Sequence, residues 1–499
     1  LNTLDLIVFL VYMLGITLFG SSFYSKNKSS EAFTLGNNNL PAWVVGMSIF
    51  ATFVSSISFI ALPGNAFQSN WNAFVFSLSL PVASYMAVKF FVPLYRKINS
   101  PSAYTYLEYR FGPWARIYVS SCYLLTQIMR IGTILYLLAL PVNLMFGWDI
   151  TTVIIITGIA VMLYSLLGGI QGVIWTDAIQ GIVLISGALF CLGYILFTIP
   201  GGPAQVFSIA TQYNKFSLGS FSLSLSEPTF WVVLIYGIFI NLQNYGIDQN
   251  YVQRYMASRT EQEAKRATFF GGMLYIPVSL LFFMIGTALF SYYTAMPEAL
   301  PSTLQAADKS DQVFPYFIVN NLPPGFTGLL IAAIFAAGMS TISTGINSSA
   351  TVVLIDYYQR FKKSKATDKQ SLRVLYLTSL LVSILGIGIG IALIDVKSAL
   401  DAWWKLASIF SGGMLGLFLL AAFVKQIHKL GAIAGVIAGI LVILWLSLSP
   451  VLFADGPLQS LASPLHGYLT IVIGTIVIFL IGFLASVAAG KSQKKKVEV

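Results

Sequence analysis

Apolar residues run on along this chain for the length of a bilayer-spanning helix, and polar residues collect in the short gaps between runs. A stretch of about 20 apolar residues with almost no charge is long enough to cross a membrane as a helix. The pattern predicts thirteen spans, at 4–23, 41–66, 73–95, 115–146, 150–167, 173–199, 229–248, 267–293, 326–355, 372–395, 403–424, 430–449 and 467–489. The runs are too long and too uniformly apolar for barrel strands, and open sheets cannot satisfy their backbone in lipid. An odd number of crossings puts the termini on opposite sides.

The gaps assign the sides. One set of gaps and the C-terminal tail hold 22 Lys and Arg, while the other set holds only Lys215, Lys309, Lys397 and Lys405. The positive-inside rule then puts the N-terminus outside and the C-terminus in the cytoplasm, in a multi-pass protein of the cell membrane. The tail "KSQKKKVEV" reads as an anchor beside anionic lipid. The first span has little positive charge before it and no small-residue cleavage site after it, so it is expected to be retained.

Composition agrees and excludes other classes. The chain is 57% hydrophobic and 9% charged, where a soluble protein carries roughly a quarter charged residues. Its net charge of +10 is explained by the loops, so no nucleic-acid partner is expected. Cys122 and Cys191 lie in separate spans and form no disulfide framework or metal set. His428 and His466, the only histidines, fall near span ends, which leaves no catalytic pair at depth and argues against an enzyme. The longest outside segments, 200–228 and 295–325, are too short for a separate domain. A sensor would add a soluble signalling domain, and no obligate protein partner is evident. Residues 1–499 read as one membrane domain.

Polar residues at depth are the candidates for function. In "ATFVSSISF" (51–59) Thr52, Ser55, Ser56 and Ser58 crowd together just before Pro63-Gly64. In "AAGMSTISTGINSSA", Ala337, Ser340, Thr341 and Thr344 share one helix face, beside Ser343 and Asn347. Such small polar residues serve either helix packing or a site. In "FINLQNYGIDQN", Asn241, Gln243 and Asn244 precede Gly246. Arg130 lies mid-span, and either pairs with a carboxylate or carbonyls or meets an anionic substrate. Asp177 either bonds at a helix end or holds a cation. Asp248 and Asp401 lie near span ends, where water reaches them. The second and seventh spans, five apart, both look interrupted. Two five-helix units related by inversion, with a transport site at the membrane midplane, are the expected architecture.

The stretches "SKNKSSEAFTLGNNNLPAWVVGMSIFATFVSSISF", "GGIQGVIWTDAIQG", "YVQRYMASRTEQEAKRA" and "IAAIFAAGMSTISTGINS" resemble the sodium:solute symporter family, in its bacterial sialic acid branch. The resemblance implies an inverted five-plus-five helical fold. Residues 1–40 would form an extra N-terminal helix and loop, 41–200 and 201–425 the repeats, and 426–499 two further helices and the basic tail. It implies two sodium ions. The first would be held by Ala51, Val54, Ala337, Ser340 and Thr341, since sodium prefers hard oxygen ligands. The second would use Asp177, Ser340, Ser343 and Thr344. An anionic sugar would lie among Phe53, Ser55, Ser58, Ser77, Asn241 and Gln243, its carboxylate on the fork of Arg130. Phe53 and Ser77 stand where a relative of that branch has threonine and glutamine, so they bear on selectivity. The function implied is sodium-coupled import of an acidic sugar such as sialic acid. Another small solute in the same family, such as a monocarboxylate, neutral sugar or proline, is the alternative.

Overall fold

The computed structural model describes residues 3–305, 309–362, 364, 366–394, 412–424, 426–453 and 458–489. Among these residues the regular structure is helical, relieved by a single isolated bridge between Leu40 and Ser258. The main helices are α1 (Thr3–Ser21), α2 (Ala42–Phe53), α3 (Ser56–Gln68), α4 (Trp71–Ile98) and α5 (Pro113–Phe146). There follow α6 (Ile150–Thr198), α7 (Phe230–Ile247), α8 (Gln249–Ala257), α9 (Glu261–Ala295) and α10 (Phe326–Val352). The last are α11 (Asp368–Ala392), α12 (Gly412–Phe423), α13 (Lys429–Leu452) and α14 (Leu469–Ala488).

Among the described residues ten helices are long and apolar enough to cross a membrane, or eleven when the bent pair α2–α3 is one span. The expected spans 150–167 and 173–199 run together as the 49 residues of α6. A straight helix of that length would measure about 74 Å, more than twice a hydrocarbon core. It is divided at Gly169 (φ 54°, ψ −160°), where a Cβ would lie 2.8 Å from the Asn27 side chain. The expected span 403–424 is described only from Gly412 onward, and Asp401 and the basic tail lie outside the described residues.

α10 runs through the middle of the bundle, with nearly every residue from Thr327 to Val352 buried. Its apolar and small polar residues cover all faces, as a fully enclosed helix requires. Its N-terminus is held by α1, where the Asp5 carboxylate accepts from the amides of Gly325 (2.7 Å) and Gly328 (3.0 Å). A carboxylate there satisfies two orphan donors and opposes the positive end of the helix dipole.

The glycine row of α13 packs on the chain's own α14. A Cβ on Gly435 would lie 2.6 Å from the Ile478 carbonyl, and one on Gly431 2.7 Å from the Ser486 amide.

Candidate functional site

The break between α2 and α3 is the first component. The two halves meet at 53°, with Val54 (φ −79°, ψ 122°) and Ser55 (φ −111°, ψ 170°) extended between them. Ser55 and Ser58 form a reciprocal capping box. The Ser58 amide donates to Ser55 Oγ (3.4 Å), and the Ser55 amide donates to Ser58 Oγ (3.5 Å). In an unbroken helix those two amides would bond the carbonyls four residues back, on Val54 and Ala51. The capping serines therefore release the two carbonyls that the resemblance assigned to a cation. Pro63 lies inside α3 and does not make the break.

α10 packs against both halves. Ala51, Val54, Ala337, Ser340 and Thr341 are all buried. Thr341 Oγ1 donates to the Ala337 carbonyl (3.2 Å), and Ser340 Oγ donates to Asp177 Oδ1 (2.7 Å). Both hydroxyls thus spend their proton and keep lone pairs, the arrangement a cation requires.

Asp177 anchors the second component. Its Oδ2 accepts from Ser48 Oγ of α2 (2.6 Å) and from Arg254 Nη2 of α8 (2.7 Å). Arg254 also donates to Ser48 Oγ (2.7 Å), the Asn250 carbonyl (2.6 Å) and Thr344 Oγ1 (2.6 Å). Of the expected second set, Asp177, Ser340 and Thr344 are thus joined, but around a guanidinium. Ser343 Oγ turns instead to the Ser340 carbonyl (3.0 Å).

Arg254 was counted with the loop cations and is buried. Every residue of α8 from Gln249 to Ala257 is buried, so an arginine there needs a carboxylate nearby. Asp248, expected to be solvated, accepts from the Asn250 amide (2.8 Å) and starts α8. The interruption after α7 therefore lies at Asp248, and Asn241 to Gly246 remain helical.

The third component is a cavity of about 670 Å³. Of the residues proposed around the sugar, Phe53, Ser58, Ser77 and Arg130 line it. Ser55, Asn241 and Gln243 do not. Asn241 Nδ2 donates to Ser79 Oγ (2.8 Å), and Ser77 Oγ shares a proton with Ser279 Oγ (2.7 Å). Asn244 faces the cavity from α7, in phase with Val233, Tyr236 and Ile240. Asn241 lies three residues before Asn244 and Gln243 three after Ile240, so helical phase alone does not separate the lining amide from the other two. The walls are aromatic. The rings of Phe53 and Tyr275 are 4.4 Å apart, with Phe76 6.3 Å from Phe53.

Arg130 is the cation of this lining and makes no hydrogen bond or ion pair among the described residues. The Asp248 carboxylate acts on it only through space. Arg116 and Arg254 differ, since both are ion-paired. The cavity opens at the end lined by Ser69, Asn70, Asn72, Gly219, Ser220 and Glu227.

The opposite, basic-rich end is closed. There Arg116 bridges Asp356 (2.6 Å) and Glu108 (2.6 Å), and Arg360 also reaches Glu108 (2.6 Å). Burial pushes the Glu108 carboxyl up, but the guanidiniums of Arg116 and Arg360 outweigh it and hold the group below the usual carboxylate range.

Comparison with known proteins fits this geometry. The sodium/sialic acid symporter NanT of Aliivibrio fischeri is 33% identical over 492 residues, covering 97% of this chain and 93% of the relative. The sodium/sialic acid symporter SiaT of Proteus mirabilis is 35% identical over 437 residues, 87% of each. A solved substrate-bound, outward-open Na+-coupled sialic acid symporter superposes with a TM-score of 0.90 at 30% identity, covering 99% of both chains. A nucleobase-cation-symport-1 family transporter in a closed conformation shares the fold at a TM-score of 0.59 and 12% identity. The profile of the sodium:solute symporter family matches residues 33–439. With relatives this similar across most of its length, the chain belongs to the sodium:solute symporter family.

Proposed function

We propose that this chain is a sodium-coupled secondary active symporter that imports an acidic sugar, sialic acid, across the cell membrane by alternating access. One observation carries the substrate class: Arg130 lines the cavity with its guanidinium uncommitted. A guanidinium left without a protein partner is free to take an anion, and its planar fork matches a carboxylate. The sialic acid symporters among its relatives support the same reading. Ser58, Ser77 and Asn244 offer polar contacts, and the Phe53–Tyr275 wall takes the apolar parts of the sugar.

In this reading the chain has thirteen spans, N-terminus outside, built as two inverted five-helix repeats with one helix before and two after. The Gly169 break divides α6 into two spans. The cavity then opens outward and the Arg116–Glu108–Asp356 network closes the cytoplasmic end. One sodium ion binds the carbonyls of Ala51, Val54 and Ala337 and the hydroxyls of Ser340 and Thr341, fixing the α2–α3 break against α10. A second uses Asp177 with Ser340, Ser343 and Thr344 when Arg254 withdraws. Substrate then binds, the outer mouth closes, and loss of sodium to the interior releases both. Two sodium ions with one monoanion carry one net charge, adding about 2.3 kcal/mol of drive per 100 mV. The chain performs transport, without enzymatic chemistry.

The test is uptake of labelled N-acetylneuraminate into proteoliposomes with and without a sodium gradient. Wild type accumulates it only with sodium, and Arg130→Ala loses uptake by about a hundredfold or more, the scale of a charge-assisted bidentate contact. Undiminished uptake by a folded Arg130→Ala protein overturns the assignment.

A further inference from the structure

A second cavity, of about 780 Å³, lies at the basic-rich end, away from the transport path. It is walled by the segment after α1 (Tyr24, Ser25, Asn27, Lys28) and the start of α11 (Lys369, Gln370, Leu372, Arg373, Tyr376, Leu377). Lys28, Lys369 and Arg373 are exposed to it, and among the described residues no carboxylate lines it. Two carboxylates stand beside it: Glu31, exposed, and Asp368, which is taken by Ser30, whose hydroxyl donates to it at 3.0 Å and whose amide at 3.3 Å. None of the three cations makes a hydrogen bond or ion pair among the described residues.

The cavity is two-sided in polarity. One turn beyond Arg373, α11 exposes Leu377 (59%) and then Leu381 (56%), while α1 exposes Leu14 (63%) and Leu18 (70%) before it reaches Tyr24. Side chains so apolar and so exposed on membrane helices face acyl chains. The cations therefore lie at headgroup level, between the segment that follows α1 and the start of α11. The exposed Tyr24 ring marks that boundary, where amphipathic aromatics settle. A free anion would use only the basic half.

We propose that this cleft binds an anionic phospholipid, its phosphodiester among Lys28, Lys369 and Arg373 and its acyl chains along Leu377. Basic pockets between membrane helices have the charge to hold such headgroups.

The test uses the full chain, purified and delipidated in detergent, with its thermal midpoint followed as phosphatidylglycerol or phosphatidylcholine of matched acyl chains is added. Three proteins are compared: wild type, Lys28→Gln/Lys369→Gln/Arg373→Gln, and the equally neutralised Lys97→Gln/Arg266→Gln/Lys429→Gln, whose sites lie outside the cleft. Phosphatidylglycerol raises the midpoint more than phosphatidylcholine in wild type and in the outside variant. Each cleft substitution lowers apparent affinity roughly fivefold. Equal losses in both triple variants would mean diffuse surface charge and overturn the proposal. So would a wild type that does not prefer phosphatidylglycerol. Glycerol phosphate is the third ligand, and if it reproduces the shift at equal concentration the site takes free anions and the lipid assignment fails. Native mass spectrometry of wild type against Lys369→Gln/Arg373→Gln, counting retained phosphatidylglycerol, gives a reading independent of thermal behaviour. Undiminished retention there also overturns it.

Discussion

Three arginines in or beside the membrane show how differently one side chain can be used. Arg116 and Arg254 are bound into carboxylates, whereas Arg130 faces an open cavity. The Asp177–Arg254 pair is almost wholly buried, at 0% and 1% side-chain exposure. Removing one partner of a buried pair costs about 3–5 kcal/mol, because the other charge is left desolvated. Arg254→Met should therefore lower the thermal midpoint sharply. If the hydroxyls around Asp177 can take sodium, added sodium restores part of the loss and choline does not. Equal midpoints in sodium and choline chloride would rule out an ion at Asp177. The pair was hidden in the sequence because its partners are 77 positions apart. Arg130 was legible because it interrupts an apolar run by itself.

At the level of elements, the sequence showed most of the spans and the fact of a break in the second one. It misled on the cause. Pro63-Gly64 looks like the interruption, yet α3 carries Pro63 within its helix, and the serine capping box at Ser55 and Ser58 turns the chain. Capping depends on which backbone amide a hydroxyl reaches, and that is decided by three-dimensional direction. The seventh span was expected to be interrupted where Asn241, Gln243 and Asn244 precede Gly246, yet α7 stays helical to Ile247 and the chain turns at Asp248. The clasp of α1 on α10 was equally unreadable, since Asp5 lies 320 residues from the amide it accepts. Losing a carboxylate at a helix N-terminus costs about 1 kcal/mol. Asp5→Ala is expected to lose about that much stability to denaturant, with Asp5→Asn losing less because its amide oxygen still accepts. A silent Asp5→Ala would mean that the α1–α10 contact contributes nothing to stability.

For the whole molecule, Glu108 gives the closed end a contribution that depends on pH. The folded pKa of Glu108 is depressed, so the folded chain holds fewer protons than the unfolded one as pH falls. Its contribution is complete above the usual glutamate value of about 4.3 and is lost as pH drops through the lower folded value. Wild type should therefore be more stable than Glu108→Gln near neutrality, and their thermal midpoints should converge in acid. A gap independent of pH would show that Glu108 acts through packing alone. The basic bias that reads as topology also has a second layer here. Arg116, Arg254 and Arg360 belong to the gap cations by position, yet they fasten helices together.

The glycine row of α13 bears on how copies of the protein can crowd in a membrane. Gly431, Gly435 and Gly439 are pressed against Ser486, Gly482 and Ile478 of the same chain. The seam where backbones could come closest is already sewn shut. What that side offers a neighbour is a coat of Leu441, Leu448, Leu480 and Leu484. Lipid tails solvate such a coat as well as another protein would. Two molecules meeting there should slide past one another.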